Sequence, residues 1–359
     1  MNDFNRRTFL QTTAAGALLS TMPTAFGDSS GDASGSVAPG EGLMEFGERA
    51  SKSELGPKMK LSLAAYSFSK LMKRYPTFEE LPQMQSNLVE VIDVAAELNL
   101  DGVELTGYYV PGAAQEIQTH FMGETQGSFF EAPPERANYY HRTAVERYLR
   151  SLSARAFRLG LDVSGTAIGN DFCLPEGGQR AEQIANCIQW CKFASFMGAP
   201  VIRIFAGKVP KGDSEEAALE RCIDGIVECL PAAASVGVCL ALENHGGITA
   251  EADTLLRIVD GVLEKTDHPD YFGVNFDSGN FKNDDPYGEL AKIAPYAINA
   301  QIKDYIAPNG KKGEPDLDRV VGILKDANYR GYVVMEYEGH GDPRTEVPQW
   351  VEKLRKAIG

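Results

Sequence analysis

Four polar residues close four short apolar runs in the second half of the chain, and their types are those that bind a hard metal ion. They are Glu243, Asp277, Gln301 and Glu336. A run of this kind indicates a buried strand, and a polar side chain at its end is costly unless it is paired or bound. Three carboxylates and an amide converging from consecutive strands would form an oxygen-rich site suited to Mg²⁺ or Mn²⁺.

The spacing of these residues predicts the elements that position them. The consecutive gaps are 34, 24 and 35 residues, and each gap fits one strand, one helix and two loops. The same alternation begins near Lys60. The predicted strands lie near 61–67, 102–107, 161–167, 201–206, 238–243, 272–277, 298–303 and 332–337. Eight strands with helices between them predict an α/β fold, a single-domain (β/α)₈ TIM barrel.

An open doubly wound sheet is the alternative architecture. It rarely needs eight consecutive units, and it favours a glycine-rich phosphate loop after the first strand, where this chain has 65–69, Ala-Tyr-Ser-Phe-Ser. Two long segments follow strands two and three, at 108–140 and 168–178. Both would lie at the carboxyl end of the barrel, where we expect them to cover a substrate.

The amino terminus is predicted to be a targeting segment. Residues 5–11, Asn-Arg-Arg-Thr-Phe-Leu-Gln, resemble the twin-arginine export motif, and a mildly apolar stretch follows. We therefore predict a signal peptide over 1–27, a flexible linker over 28–57 and the barrel over 58–359. The expected product is a periplasmic enzyme, exported already folded, with no membrane anchor after cleavage.

Composition narrows the possible partners. The net charge of −15 argues against a nucleic-acid surface and against an anionic membrane, since both favour clustered Lys and Arg. The 6 cysteines include no C-x-x-C pair, which excludes a zinc knuckle. We interpret them as core thiols, most of them in helices, and a disulfide stays open for an exported protein.

Five strings, in order and at the expected strand ends, resemble the xylose-isomerase-like TIM-barrel superfamily, the sugar phosphate isomerase/epimerase family. The strings lie at 201–207 (VIRIFAG), 240–247 (LALENHGG), 273–280 (GVNFDSGN), 302–304 (IKD) and 331–339 (GYVVMEYEG). The resemblance covers most of 60–359. It implies the barrel fold and an isomerase that carries one divalent metal ion.

The resemblance also assigns roles to individual residues. In this family Glu, Asp, His and Glu hold the ion, which matches Glu243, Asp277 and Glu336 and places Gln301 where the histidine stands. Without that nitrogen ligand, Mn²⁺ or Mg²⁺ is expected. Glu243 and Glu336 also match the glutamates that exchange the substrate proton. Further candidates for substrate contacts are His245, Arg203, Lys303, Asp304, Glu104 and Tyr66. Two alternatives stay open: Arg203 could instead orient Glu243, and Lys303 and Asp304 could form a salt bridge between strand seven and its neighbours.

The leading hypothesis is a metal-dependent sugar isomerase or epimerase that transfers a proton beside a carbonyl of a small sugar or sugar derivative. A lyase or hydratase acting on an oxidised sugar, such as elimination from a 3-keto-glycoside, begins with the same proton abstraction and is the alternative. A sugar-binding barrel without activity is the third hypothesis. Family members are often oligomers, so a homo-oligomer is possible by analogy.

Overall fold

The structure is a computed structural model that describes residues 55–122 and 143–359. The predicted signal peptide, most of the predicted linker and the later part of the segment after strand two lie outside the described residues. The described residues all fall within one compact unit. No helix in the described ranges combines the length and apolar character needed to cross a bilayer.

The described strands close into a parallel barrel in sequence order, which confirms the predicted fold class. The strands are β1 (Lys58–Ala64), β2 (Gly102–Thr106), β3 (Asp162–Ala167), β4 (Val201–Ile204), β5 (Cys239–Glu243), β6 (Phe272–Asp277), β7 (Ala297–Lys303) and β8 (Arg330–Glu336). β8 pairs with β1, so the sheet has no free edge. A closed sheet holds the carboxyl ends of all its strands around one mouth.

Helices follow the strands and form the outer layer. They are α1 (Leu88–Glu97), α2 (Ala113–Met122), α3 (Ala144–Arg158), α4 (Gly178–Met197), α5 (Glu215–Val236), α6 (Ala252–Lys265), α7 (Pro286–Ile293), α8 (Leu317–Asp326) and α9 (Pro343–Ile358). Their apolar faces pack on the strands and build the main core. The thiols on α4 and α5 are buried in this layer, and all six cysteines are free, as interpreted from the sequence.

Two features differ most from the sequence prediction. The first strand ends at Ala64, and Ala65–Leu71 form a 3₁₀ helix. The reason is a side-chain bridge: the Ser67 hydroxyl donates to the Met335 carbonyl and accepts from the Tyr337 amide at 2.9 Å, which draws the chain towards β8. The segment after strand two was expected to be a loop but holds α2, whose Ala, Gln and Glu content favours a helix.

Register places the polar strand ends side by side. Asp277 lies opposite Gln301, and Lys303 lies opposite Glu336. Because side chains alternate along a strand, residues two positions apart on β6 and β7 point to the same side of the sheet. Asn275 therefore lies under Asp277, and Asn299 and Gln301 lie under Lys303. The upper half of the barrel interior is polar and buried, which is unusual for a fold whose interior is normally filled by branched apolar residues.

Candidate active site

Arg203 on β4 and Glu243 on β5 form a buried ion pair. The Arg203 Nε atom lies 2.8 Å from Glu243 Oε2, and both side chains are 5% exposed or less. Arg203 also donates to the Ile168 carbonyl and, at 3.1 Å, to the Tyr108 hydroxyl. Asn280 Nδ2 donates to Glu243 Oε1 at 2.8 Å. Burial raises the pKa of Glu243 to about 7, although Arg203 pulls it down. Burial thus favours the protonated form of this carboxyl group, and Arg203 favours its ionised form.

Lys303 is the cation of a second cluster. Its Nζ donates to Glu336 Oε2 at 3.0 Å and to Glu338 Oε1 at 2.6 Å, and it lies 3.3 Å from Asp277 Oδ2. Burial alone lowers the pKa of Lys303, but Asp277 and Glu336 raise it well above its usual value. Burial by itself raises the pKa of Glu338, yet Lys303 lowers it below its usual value. The ammonium is thus charged and surrounded by carboxylates from β6 and β8.

A closed ring of hydrogen bonds lies beneath the carboxylates. Gln301 Nε2 donates to Glu104 Oε1 at 2.7 Å, and Gln301 Oε1 accepts from Asn275 Nδ2 at 2.7 Å. Asn299 Nδ2 donates to Asn275 Oδ1 at 2.8 Å and to Glu104 Oε2 at 3.2 Å. Burial raises the pKa of Glu104 to about 7. Both ends of the Gln301 amide are used inside this ring, which joins β2, β6 and β7.

Two cavities open at the barrel mouth and meet at His245. The Glu338 cavity, about 450 Å³, is lined by residues including Tyr66, Asn280, Lys282, Tyr305 and Glu338. The Gly207 cavity, about 250 Å³, is lined by residues including Asn170, Asp171, Phe205, Gly207 and Lys208. His245 and Gly246 line both, so the two cavities are adjacent at this loop.

The imidazole of His245 is a neutral group at this junction. It packs on Phe205 with ring centroids 4.1 Å apart. Burial lowers its pKa to about 4, and the positive charge of Arg203 lowers it further. The Thr249 hydroxyl accepts from the His245 amide at 3.1 Å and fixes the loop that carries the ring. A neutral imidazole offers one donor and one acceptor to a hydroxylated ligand.

The predicted ligand set does not have the geometry of a metal site. Glu243 is occupied by Arg203 and Asn280, and Glu336 is occupied by Lys303. Among residues 55–122 and 143–359, no group of three or more His, Cys, Asp or Glu is spaced to hold an ion. The Asp277 Oδ2 atom is buried and accepts no hydrogen bond, so this oxygen is available to bind a cation. One free oxygen beside an ammonium does not make a ligand shell for a divalent cation.

The sequence candidates fall into three groups in the structure. Arg203, Glu243, Asp277, Lys303 and Glu336 meet at the carboxyl ends of β4 to β8. His245 and Tyr66 lie at the mouth. The third group makes structural contacts: Glu104 and Gln301 are in the ring below the site, and Asp304 Oδ1 accepts from the Glu338 amide at 2.7 Å.

Several residues of the site were not among the sequence candidates. They are Tyr108, Asn275, Asn280, Asn299 and Tyr305. Strand alternation is a signal for two of them, because Asn275 and Asn299 stand two residues before Asp277 and Gln301. Asn280 closes one of the five family strings. Tyr108 and Tyr305 carry no pattern signal, since they lie in connections whose course depends on the fold.

The barrel and its strand-end chemistry match one protein family. The model of the Xylose isomerase-like TIM barrel family matches residues 92–357. The chain belongs to the Xylose isomerase-like TIM barrel family. This membership confirms the family part of the sequence-based resemblance, and the resemblance to an export signal stays a prediction.

Individual relatives are more distant. A "Putative hydroxypyruvate isomerase" from Mus musculus is 30% identical over 171 residues, which is 42% of this chain and 58% of that protein. The match thus spans little more than half of that curated relative. The apo structure of the 3-keto-D-glucoside 4-epimerase YcjR from E. coli is similar, with 16% identity, a TM-score of 0.57, and coverage of 83% of this chain and 100% of that one.

A third relative bears on the metal question. The structure of the IOLI protein "with a binding zinc atom" has 16% identity and a TM-score of 0.56, and covers 83% of this chain and 96% of that one. Structures at this level of identity share the fold. A divalent metal is therefore present in at least one similar barrel. In this chain Glu243, Gln301 and Glu336 make the ion pairs and hydrogen bonds described above.

Replacing Arg203 tests the first ion pair. Arg203→Met leaves Glu243 buried without its cation, and we expect the free energy of unfolding to fall by about 3–5 kcal/mol. Arg203→Lys restores the charge but cannot serve Ile168, Tyr108 and Glu243 together, so it should recover only part of the loss. Urea denaturation of the three proteins measures this. A loss below about 1 kcal/mol in Arg203→Met would contradict the pairing.

Replacing Glu104 tests the ring. Since folding raises the pKa of Glu104 from 4.5 to about 7, its contribution to stability is complete below about pH 4.5 and falls by about 3 kcal/mol as the pH rises to 7. Glu104→Gln removes this fall, so the stability of wild type relative to the variant should decrease between pH 5 and 7. Denaturation across that range measures the difference. Glu264→Gln, on the exposed side of α6, is the control, and equal slopes in wild type and Glu104→Gln would contradict the shift.

Proposed function

We propose that this protein is an enzyme that isomerises or epimerises a sugar or sugar derivative by moving a proton beside a carbonyl group. The observation that carries the proposal is a pair of buried carboxylates, Glu243 and Glu336, at the carboxyl ends of β5 and β8, each in contact with a buried cation. Charged groups in that state are costly to bury, and catalytic sites are where such costs are commonly met.

The chemistry needs a base, an acid and a means of holding negative charge. One carboxylate removes the proton from the carbon beside the carbonyl, and the electron pair of that C–H bond forms a C=C bond. The carbonyl π electrons move to oxygen and give an enediolate, which nearby positive charge stabilises. Return of the proton to the opposite face gives the epimer. Its return to the former carbonyl carbon, with the neighbouring hydroxyl proton passing to the former carbonyl oxygen, gives the isomer. No oxidant or reductant is consumed.

The substrate class is proposed from the mouth of the barrel and from the relatives. The Glu338 cavity presents a neutral imidazole, asparagine amides, tyrosine hydroxyls and carboxylates, which are partners for sugar hydroxyl groups. The wall carries the carboxylates of Glu251 and Glu338 and the ammonium of Lys282, a balance that disfavours a phosphate, so a non-phosphorylated sugar is proposed. The printed names of the mouse and E. coli relatives, a hydroxypyruvate isomerase and a keto-glucoside epimerase, support chemistry beside a carbonyl.

Three parts of the sequence-based prediction have no test in the described residues. The periplasmic location, reached by twin-arginine export, is proposed from residues 1–27. A homo-oligomer is proposed by analogy with the family. Dependence on Mn²⁺ or Mg²⁺ follows from the resemblance alone, and no step above uses an ion because the four expected ligands do not form a shell.

Elimination from an oxidised glycoside is a second candidate. The observation that favours it is the junction of the two cavities at His245, which leaves room for a sugar and an attached group. The first step is the same proton abstraction. The enediolate then expels the leaving group from the carbon adjacent to the one that lost its proton. The departing alcohol takes a proton from the site or from water.

Solvent exchange tests the leading proposal. Wild-type protein incubated with a panel of ketoses, keto-sugars and hydroxypyruvate in deuterium oxide should incorporate deuterium beside the carbonyl of its substrate. Glu336→Gln and Glu243→Gln each remove a proton carrier without changing shape, so the exchange rate should fall by about 10²–10⁴-fold. Nuclear magnetic resonance of the recovered sugar measures the exchange.

The matched control for these variants is Glu264→Gln, which makes the same change on the surface of α6. It should exchange at the wild-type rate. Absence of exchange from wild type across the whole panel would contradict the proposal. If both site variants kept full activity, residues other than Glu243 and Glu336 would have to be the acid and the base.

A chromogenic substrate separates the second candidate from the first. A 3-keto-glycoside with a nitrophenyl aglycone should release nitrophenol only if the enzyme eliminates. Deuterium exchange without release identifies an isomerase or epimerase, and release that is lost in Glu336→Gln identifies a lyase.

A further inference from the structure

The space between Asp277 and Glu336 is occupied by the end of a lysine side chain. Lys303 Nζ lies 3.3 Å from Asp277 Oδ2 and 3.0 Å from Glu336 Oε2, and it donates to Glu338 Oε1 at 2.6 Å. The side chain is 3% exposed. It starts two residues beyond Gln301 on β7, so it points to the same side as the residue at the family's histidine position.

The site is shaped around this side chain. Gly279 follows β6, and a Cβ atom there would lie 2.8 Å from the Tyr305 carbonyl oxygen, 2.9 Å from Lys303 Cδ and 3.1 Å from Lys303 Cβ. The glycine therefore leaves the path that the lysine stem takes to reach the carboxylates. The Lys303 amide also donates to the Ser278 hydroxyl at 2.8 Å, which ties the start of the side chain to the same turn.

The residues that would otherwise bind a metal have other partners. Gln301 gives both ends of its amide to Glu104 and Asn275. Arg203 holds Glu243. A divalent ion between Asp277 and Glu336 would have to displace a charged ammonium from both carboxylates and leave it with Glu338 alone.

We propose that the Lys303 ammonium replaces the divalent metal ion as the central cation of this active site, which makes the enzyme independent of metal. The inference rests on the proposed proton-transfer function. An ammonium has three N–H donors, and Glu336 and Glu338 accept two of them. The third N–H has Asp277 Oδ2 3.3 Å away, and this oxygen is paired with the ammonium by charge but accepts no hydrogen bond.

This donor and this acceptor match one chemical feature of the substrate. An α-hydroxycarbonyl group carries a carbonyl oxygen that accepts and a hydroxyl group that donates, about 3 Å apart. The carbonyl oxygen takes the third N–H of Lys303, and the hydroxyl donates to Asp277 Oδ2. When a carboxylate removes the C–H proton, the negative charge arrives on the oxygen that the ammonium holds. The two oxygens of this feature are those that a bound ion would otherwise polarise.

Metal binding is the primary test, and it needs no substrate. Purified wild-type protein is treated with EDTA, desalted, and examined by elemental analysis and by thermal melting with and without 1 mM MnCl₂, MgCl₂ or ZnCl₂. We expect less than about 0.1 metal per chain and no shift in melting temperature. In Lys303→Gln the carboxylates lose their cation, so we expect Mn²⁺ to bind and to raise the melting temperature. Lys325→Gln, on the surface of α8, is the control and should behave as wild type.

Activity gives a second readout. If exchange is observed, EDTA should leave the wild-type rate within twofold, whereas Lys303→Gln should lower it at least 100-fold. Lys303→Met keeps the length of the stem without its charge and should lower the rate to the same extent, so it serves as the second variant if Lys303→Gln does not fold. One tightly held metal per wild-type chain, lost in Glu336→Ala, would overturn the inference. Absence of exchange with or without metal would instead count against the proposed function, and the metal analysis would still decide the role of Lys303.

Discussion

Charge neutralisation inside the barrel is the constraint on which the site depends. Moving a carboxylate out of water costs several kcal/mol, so buried carboxylates need partners in good geometry. Two cations meet this need: Arg203 holds Glu243, and Lys303 holds Asp277, Glu336 and Glu338. The amide ring of Glu104, Gln301, Asn275 and Asn299 supports this layer from below, since each of its members has a hydrogen-bond partner.

Barrel closure explains how residues far apart in the sequence reach one place. Strands β4 to β8 contribute one or two polar side chains each at their carboxyl ends, and the register sets Lys303 beside Glu336 and Asp277 beside Gln301. Connections after β1, β5 and β6 then bring Tyr66, His245 and Asn280 to the mouth. Rigid strands hold the charged layer, and the loops above it present the groups that select a ligand.

The sequence predicted the barrel, the strand ends and the acidic residues well, because each depends on local patterns: buried apolar runs, their spacing and the polar residue that ends them. The partners of those residues were harder to predict. Gln301 was assigned to a metal, yet its contacts with Glu104 and Asn275 depend on which strands are neighbours and in what register. For Lys303 the sequence left a substrate contact and a salt bridge to a neighbouring strand equally open, since a linear pattern does not show which carboxylates lie within its reach. The early end of β1 likewise depends on a bridge from Ser67 to β8.

A crystal structure grown in MnCl₂, with anomalous diffraction recorded near the manganese edge, tests the central claim most directly. The account predicts no anomalous peak among Asp277, Glu336 and Glu243, with Lys303 Nζ at hydrogen-bond distances of about 2.7–3.3 Å from its carboxylates. A peak with oxygen ligands at about 2.0–2.3 Å, and Lys303 turned away from it, would contradict the account and return the site to the metal-dependent chemistry expected from the family resemblance.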